Sequence, residues 1–300
     1  MNINRRDFLK LAGLGGVVFV SGLGSLAGPA NAARSTEDDF YFIQLSDTHV
    51  GFTGPAVNPE APEMLKKVIT IVNGLAQQPD FVFFSGDLTH VTDDDQERKT
   101  RLALFKNTAK GLKVKDVKFM PGEHDSGLDD AAAYKEFFGE THYVFDHKGV
   151  HFIVLDNATD PMASVGESQL KWLSDDLKQL KKDARIIILT HRPLFDLYPS
   201  WDWHTRDGSK VMELLMPYSN VIVFYGHIHQ EHHHVTGHIA HHAAKGLMFP
   251  LPAPGSVPKR APIPWNAAQP YKGLGFRNIE PKVKPVRFDI TELGVKGEKI

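Results

Sequence analysis

Short apolar runs, each closing on a polar cluster, recur along the chain from residue 40 onward. Phe40 to Leu45, Asp80 to Ser85, Val117 to Met120, Val150 to Leu155, Arg185 to Leu189 and Val221 to Tyr225 have the length and the β-branched or aromatic content of buried strands. Between them lie stretches with apolar residues at helical spacing. Pro62 to Gln77 places Leu65, Val68, Ile69 and Val72 on one face, and Ser168 to Lys182 lines up Leu170, Leu173, Leu177 and Leu180. Shorter or weaker helical patterns cover about Asp95 to Ala109 and Ala131 to Phe138, and Val286 to Thr291 reads as a closing strand. Strands alternating with helices predict an α/β domain, in which ligands gather beyond the carboxyl ends of the strands.

Three segments break the alternation. Leu194 to Lys210 carries Phe195, Tyr198, Trp201, Trp203, His204 and Arg206 without clear periodicity, and is either a substrate-gripping loop or a set of aromatics packed onto the core. The stretch 250–270 is rich in proline, which forbids central strands and predicts a lid or a surface strap. Glu231 to His242 concentrates histidines. They belong either to a hairpin whose alternating faces split them into two sets, or to a separate metal-holding tract.

A formal charge of -2 gives no reason to expect nucleic acid or an anionic membrane as partner. More informative is the pairing of 16 histidines with no cysteine. Thiolate metal sites, disulfides and cysteine nucleophiles are excluded, leaving imidazole and carboxylate as ligands. At the amino end, Arg5-Arg6, the uncharged glycine-rich run Leu11 to Gly28 and Ala30-Asn31-Ala32 resemble a twin-arginine export signal with its cleavage site. Residues 1–32 are therefore expected to be removed by a route that uses the twin-arginine machinery, leaving one domain over 33–300. An uncleaved membrane anchor is the alternative. No Walker loop, nucleophile elbow or His-Glu-x-x-His motif follows the leader.

The polar clusters at the strand ends carry the candidate chemistry. They are Asp47-Thr48-His49, Gly86-Asp87, Gly122-Glu123-His124-Asp125, His191 and Gly226-His227-Ile228-His229. Residues i and i+2 of a strand share a face, so Asp47 with His49, and His227 with His229, are each expected to aim at one locus. Histidines merely satisfied at strand ends are the other reading of any single cluster, and repetition at successive strand ends weighs against it.

Taken in order, these blocks resemble the calcineurin-like metallophosphoesterases. The resemblance implies a four-layer αββα sandwich, two mixed β-sheets flanked by helices, with a two-metal site at one edge. By position, Asp47, His49 and His229 would hold the first metal, Asp87 would bridge, and His191 and His227 would hold the second with Glu123 as companion. His124 would be the general acid, oriented by Asp125. His90 stands where purple acid phosphatases of this superfamily carry a tyrosine ligand, and either touches the first metal or only hydrogen-bonds. Glu123 departs from the family's usual asparagine, and either ligates or swings aside.

Carboxylates and imidazoles suit iron, manganese or zinc, as divalent or trivalent ions. Two such cations about 4 Å apart can share a bridging hydroxide and align a phosphate for in-line attack, while a histidine protonates the departing alkoxide. The expected function is hydrolysis of a small phosphate mono- or diester outside the cytoplasm. A periplasmic metal-binding protein without turnover and a cyclic-nucleotide phosphodiesterase are the competing expectations.

Overall fold

The computed structural model describes residues 18–21, 40–54, 57–127, 129–282 and 287–295. In chain order the elements are β1 (Val18–Ser21), β2 (Phe42–Leu45), α1 (Ala61–Asn73), β3 (Phe81–Ser85), α2 (Asp95–Ala109), β4 (Val117–Met120), α3 (Glu123–Ser126), α4 (Ala132–Phe138), β5 (Tyr143–His147) and β6 (Val150–Val154). They continue with α5 (Glu167–Leu177), β7 (Arg185–Leu189), α6 (Gly208–Leu215), β8 (Asn220–Tyr225), β9 (His232–Thr236), β10 (Ile239–Ala243), β11 (Gly275–Lys282) and β12 (Arg287–Gly294).

These strands form two mixed sheets, ordered β1-β12-β11-β2-β3-β4 and β5-β6-β7-β8-β10-β9. In the first, β2, β3 and β4 run parallel, and in the second so do β6, β7, β8 and β10. The two sheets pack on each other through Phe42, Phe81, Phe83, Phe152, Ile187 and Phe224. Phe42 stacks on Phe81 at 4.7 Å between ring centroids and Phe145 on Phe152 at 4.6 Å. Each fully buried ring of this kind contributes roughly 1.5–3 kcal/mol through removal of apolar surface from water.

The alternate residues of the same strands face outward and are covered by helices. Ile43, Val82 and Phe84 meet Leu65, Val68 and Phe105 of α1 and α2, while Ile186, Ile188 and Val223 meet Leu173, Val211 and Leu215 of α5 and α6. Both faces are buried, which is why the strands read as continuous apolar runs rather than as alternating patterns. The expected four-layer sandwich is thus the observed one. α2 begins where its sequence dictates, with the Asp94 carboxylate accepting from the Glu97 N–H at 2.9 Å.

Elements that the hydrophobic pattern does not announce have identifiable reasons. β11 is too polar to read as a strand, because its buried Arg277 is satisfied by a buried ion pair with Glu292 of β12 rather than by apolar packing. α6 begins inside the aromatic stretch, at Gly208, and its Val211, Met212 and Leu215 bury the apolar face of a helix only two turns long. The histidine-rich segment is the hairpin β9–β10, with His233 opposite His242 and His234 opposite His241. Residues 250–270 are irregular throughout, as their prolines require. Val18–Ser21, inside the expected leader, pairs antiparallel with β12, while Arg5 and Arg6 lie outside the described residues.

The architecture positions one feature above all. The carboxyl ends of β2, β3, β4, β7 and β8 open onto the same edge, where their following turns are stitched together. Asp47 N–H donates to the Gly86 carbonyl at 3.1 Å, His49 N–H to the Asp87 carbonyl at 2.9 Å, Gly226 N–H to the His191 carbonyl at 3.0 Å and Leu247 N–H to the Ser46 carbonyl at 3.1 Å.

Candidate metal centre

The turns after the strands are not extended. Asp47, His49, Asp87, His227 and His229 all have φ between 39° and 65°, a left-handed region that ordinary residues seldom occupy and that clusters at functional sites. The convergence of Asp47 with His49 therefore owes nothing to strand alternation. The same backbone twist separates His227 from His229, which the two-residue spacing had led us to expect at one locus.

Two carboxylate-containing groups of side chains result, and they share a member, while His49, His90 and His124 make a third, all-histidine group beside the first. Asp47, His49, Asp87 and His229 bring one potential ligand atom each to within 4.8 Å of one another, and so do Asp87, Glu123, His191 and His227. In the first group His229 Nε2 lies 3.2 Å from Asp47 Oδ1 and 3.1 Å from His49 Nε2. In the second, Glu123 reaches His191 Nε2 and His227 Nδ1, each at 2.9 Å. Asp87 Oδ2 sits between the groups, 3.5 Å from both His49 Nε2 and His191 Nε2.

The ring orientations are fixed from behind. His191 Nδ1 lies 2.7 Å from the Ser85 carbonyl, His229 Nδ1 2.6 Å from the Phe249 carbonyl and His227 Nε2 3.1 Å from the Asp202 carbonyl. A ring N–H donated to a carbonyl sets the tautomer and leaves the opposite nitrogen with a bare lone pair facing the site, the arrangement that supports metal-ligating histidines. Asp47 Oδ1, Glu123 Oε2, His191 Nε2 and His227 Nδ1 are buried, and none makes an aligned hydrogen bond despite the short approaches. Atoms that face a common point instead of each other, in a set of carboxylates and imidazoles without thiolate, fit transition-metal ions.

Electrostatics favours the ligand forms of the carboxylates. Burial alone would raise Glu123, but His227, Arg192 and His191 hold it well below the usual carboxylate range. Burial likewise opposes ionisation of Asp47, and His229 and His191 overcome it. Burial pushes the His49 imidazole well down, toward the neutral form that binds metal.

Glycines make room for these side chains across the seams. A Cβ on Gly122 would lie 2.1 Å from Asp87 Oδ1, and one on Gly226 would lie 2.0 Å from Ser46 Oγ. Each glycine thus admits a polar side chain of the neighbouring turn.

His124 stands beside the shared carboxylate, with Nε2 3.9 Å from Asp87 Oδ2. Its Nδ1 accepts the Val91 N–H at 3.0 Å, so in the neutral ring Nε2 carries the proton on the side of the site. Asp125 does not orient that ring. Its buried carboxylate instead accepts the N–H groups of Leu88, Thr89 and Gly122 and the Thr89 hydroxyl, at 2.8–3.0 Å. Burial and then Asp87 raise Asp125 to about 6. Its work is to clamp the turn that carries Asp87. His90 lies behind His49, Nδ1 to Nδ1 at 3.2 Å, on the ring edge opposite the first group.

Residues 40–231 match the family model for calcineurin-like phosphoesterases. The chain belongs to that family. Among curated relatives it is 32% identical over 164 residues to a probable glycerophosphodiester phosphodiesterase of Arcobacter nitrofigilis, covering 50% of this chain and 56% of that one. It is 25% identical over 202 residues to a probable cyclic nucleotide phosphodiesterase of Rhodococcus erythropolis, covering 63% and 64%. The chain thus spans less than two thirds of the length of either. Among solved structures, a dimetal phosphatase from Danio rerio shares the fold with a TM-score of 0.59 at 13% identity, over 86% of this chain and 96% of that one. A purple acid phosphatase from Lupinus luteus seeds does so with a TM-score of 0.57 at 14% identity, over 82% and 50%.

In this calcineurin-like phosphoesterase two further residues complete the centre. Asn157, three residues beyond β6, accepts the N–H groups of His191 and Arg192 on Oδ1 and donates to the Arg192 carbonyl at 2.9 Å, which shapes the turn bearing His191. Arg192 places Nη2 3.6 Å from Glu123 Oε2 and Nη1 2.5 Å from Asp202 Oδ2. A polar residue ending a buried strand was the available signal for Asn157. Nothing in the local sequence ties Arg192 to Glu123.

The clamp reading of Asp125 yields a prediction. Asp125→Ala strands buried N–H donors at about 1–3 kcal/mol each, so it should lower the urea unfolding midpoint and weaken metal retention. A variant with unchanged stability and metal content but slowed turnover would instead assign Asp125 to His124.

Proposed function

We propose that this chain is a hydrolase of phosphodiesters that works with two transition-metal ions, iron, manganese or zinc, one in each group of ligands. The observation that carries the reading is the Asp87 carboxylate placed equally between His49 and His191, with the His124 Nε2–H beside it. Bound there, two cations would supply Lewis-acid activation of a water and of the phosphate. Asp47, His49 and His229 would hold one, Glu123, His191 and His227 the other, and Asp87 both.

The chain's own groups account for the remaining steps. The stacked Phe249, 4.3 Å from the His229 ring, helps exclude bulk water, and so strengthens every charge interaction inside. His124 directs its Nε2–H at the departing oxygen and stabilises the negative charge that develops there, the alkoxide then taking its proton from water, and the Val91 N–H keeps that donor on the productive nitrogen. Relatives named as glycerophosphodiester and cyclic nucleotide phosphodiesterases support diesters over monoesters. Export by the twin-arginine route, read from Arg5-Arg6 and the uncharged run behind them, would place the reaction outside the cytoplasm.

Charge at the centre favours the same substrate class. Asp47, Asp87 and Glu123 leave two divalent ions with one net positive charge fewer than an asparagine at 123 would. One charge at about 4 Å is worth about 4 kcal/mol at an effective dielectric near 20. A doubly charged monoester loses more with that charge than a singly charged diester does.

Two outcomes follow. His124→Ala should retain its metals yet lose about 10²–10⁴-fold in turnover of diesters with poor leaving groups, and much less with an activated aryl ester. Equal losses on both, or no turnover by the parent protein, would favour a metal-binding protein without catalysis. Glu123→Asn should raise monoester turnover relative to diester turnover. A ratio and metal content that both stay put would remove Glu123 from the ligand set.

A further inference from the structure

The metal pocket is small for a diester. It encloses about 260 Å³ between His49, Asp87, Glu123, His124 and the residues above them, near the lower limit of small-molecule sites. Beside it lies a cavity of about 550 Å³, well within the range that takes a whole organic ligand. His229, Phe249 and Leu251 line both, so the two spaces adjoin.

The proline-rich segment roofs both spaces. Arg260, Ala261 and Pro262 border the metal pocket, and Ile263, Pro264 and Trp265 border the larger cavity. Prolines restrict the backbone of this strap and lower the entropy it must lose on binding. It is also tied to the ligand-bearing turn after β8. Gln230 Nε2 donates to the Leu251 carbonyl at 3.1 Å and the Pro252 carbonyl at 2.6 Å, and the Ile263 N–H donates to the Pro250 carbonyl at 2.9 Å.

Two features of the strap call for a ligand. Ile263 and Trp265 are 43% and 37% exposed although they line a concave space, and large apolar side chains exposed in a cavity gain from being covered. Arg260 is half-buried at the mouth of a centre rich in carboxylates. A guanidinium there matches the oxygens of a phosphate and returns the positive charge that Glu123 removes.

We propose that the 550 Å³ cavity receives one organic group of a phosphodiester, and that Arg260 grips its phosphate from the strap. The strap then selects diesters that carry a bulky, largely apolar or planar substituent over those with small alkyl groups. The inference rests on the hydrolase reading for the position of the phosphate.

Binding without turnover separates the two claims. Methylphenylphosphinate and dimethylphosphinate are singly charged, have only P–C bonds to their organic groups and cannot be hydrolysed as esters. Titrated calorimetrically into the metal-loaded protein, the phenyl probe should bind about tenfold tighter, or about 1.4 kcal/mol. Trp265→Ala should erase that preference without changing dimethylphosphinate, Trp265→Phe should keep most of it, and Arg260→Ala should weaken both probes alike. No preference in the parent, no binding of either probe, or equal weakening of both by Trp265→Ala would overturn the assignment. Turnover of bis(p-nitrophenyl) phosphate on the same samples distinguishes the two readings. A preference without turnover keeps the cavity and removes the hydrolase, whereas turnover without a preference does the reverse.

Discussion

The centre is built around one buried negative charge. Asp87 is fully enclosed, and burial together with Glu123 opposes its ionisation, yet His124 and His191 hold it well below the ordinary carboxylate range. Its Oδ1 accepts the His124 backbone N–H at 3.0 Å, which leaves Oδ2 for the two ligand groups. A buried carboxylate so placed costs several kcal/mol unless positive charge surrounds it. The surrounding histidines are the means by which the fold tolerates it. Because the charge is shared, neither group is electrostatically independent of the other.

The sandwich makes that sharing possible. Asp47, His49, Asp87 and Glu123 follow strands of the first sheet, and His191, His227 and His229 follow strands of the second. Each group draws on both sheets, so the centre spans the seam that the phenylalanine core closes deeper in the molecule. Five residues in left-handed backbone there carry a strain of order 1–3 kcal/mol each. Turn-to-turn hydrogen bonds and the Asp125 clamp hold them in place, and the packed core offsets the cost.

Much of this was legible in the sequence, for physical reasons. Strands buried on both faces announce themselves as apolar runs, and chemistry placed at their carboxyl ends falls where an α/β sheet collects ligands. The histidine tract splitting across a hairpin was one of two readings that strand alternation left open, whereas Glu123 beside His191 and His227 was implied by the family resemblance alone. What misled was the local rule. Two-residue spacing places side chains together only in extended backbone, and His227 and His229 lie in a turn that sends them to different groups. Asp125 neighbours His124 in the chain but serves Leu88 and Thr89, and Asn157 governs a turn more than thirty residues away. Contacts of that reach are set by the tertiary fold, and no short pattern encodes them.

The shared carboxylate is tested most directly by counting metal after its removal. The parent protein should purify with about two transition-metal ions per chain, as a dinuclear centre requires. Asp87→Ala, confirmed as folded by circular dichroism, should lose both together, whereas His227→Ala should keep the ion of the first group. If Asp87→Ala retained one full equivalent, the two groups would be separate sites and the shared charge would not be what holds the centre together.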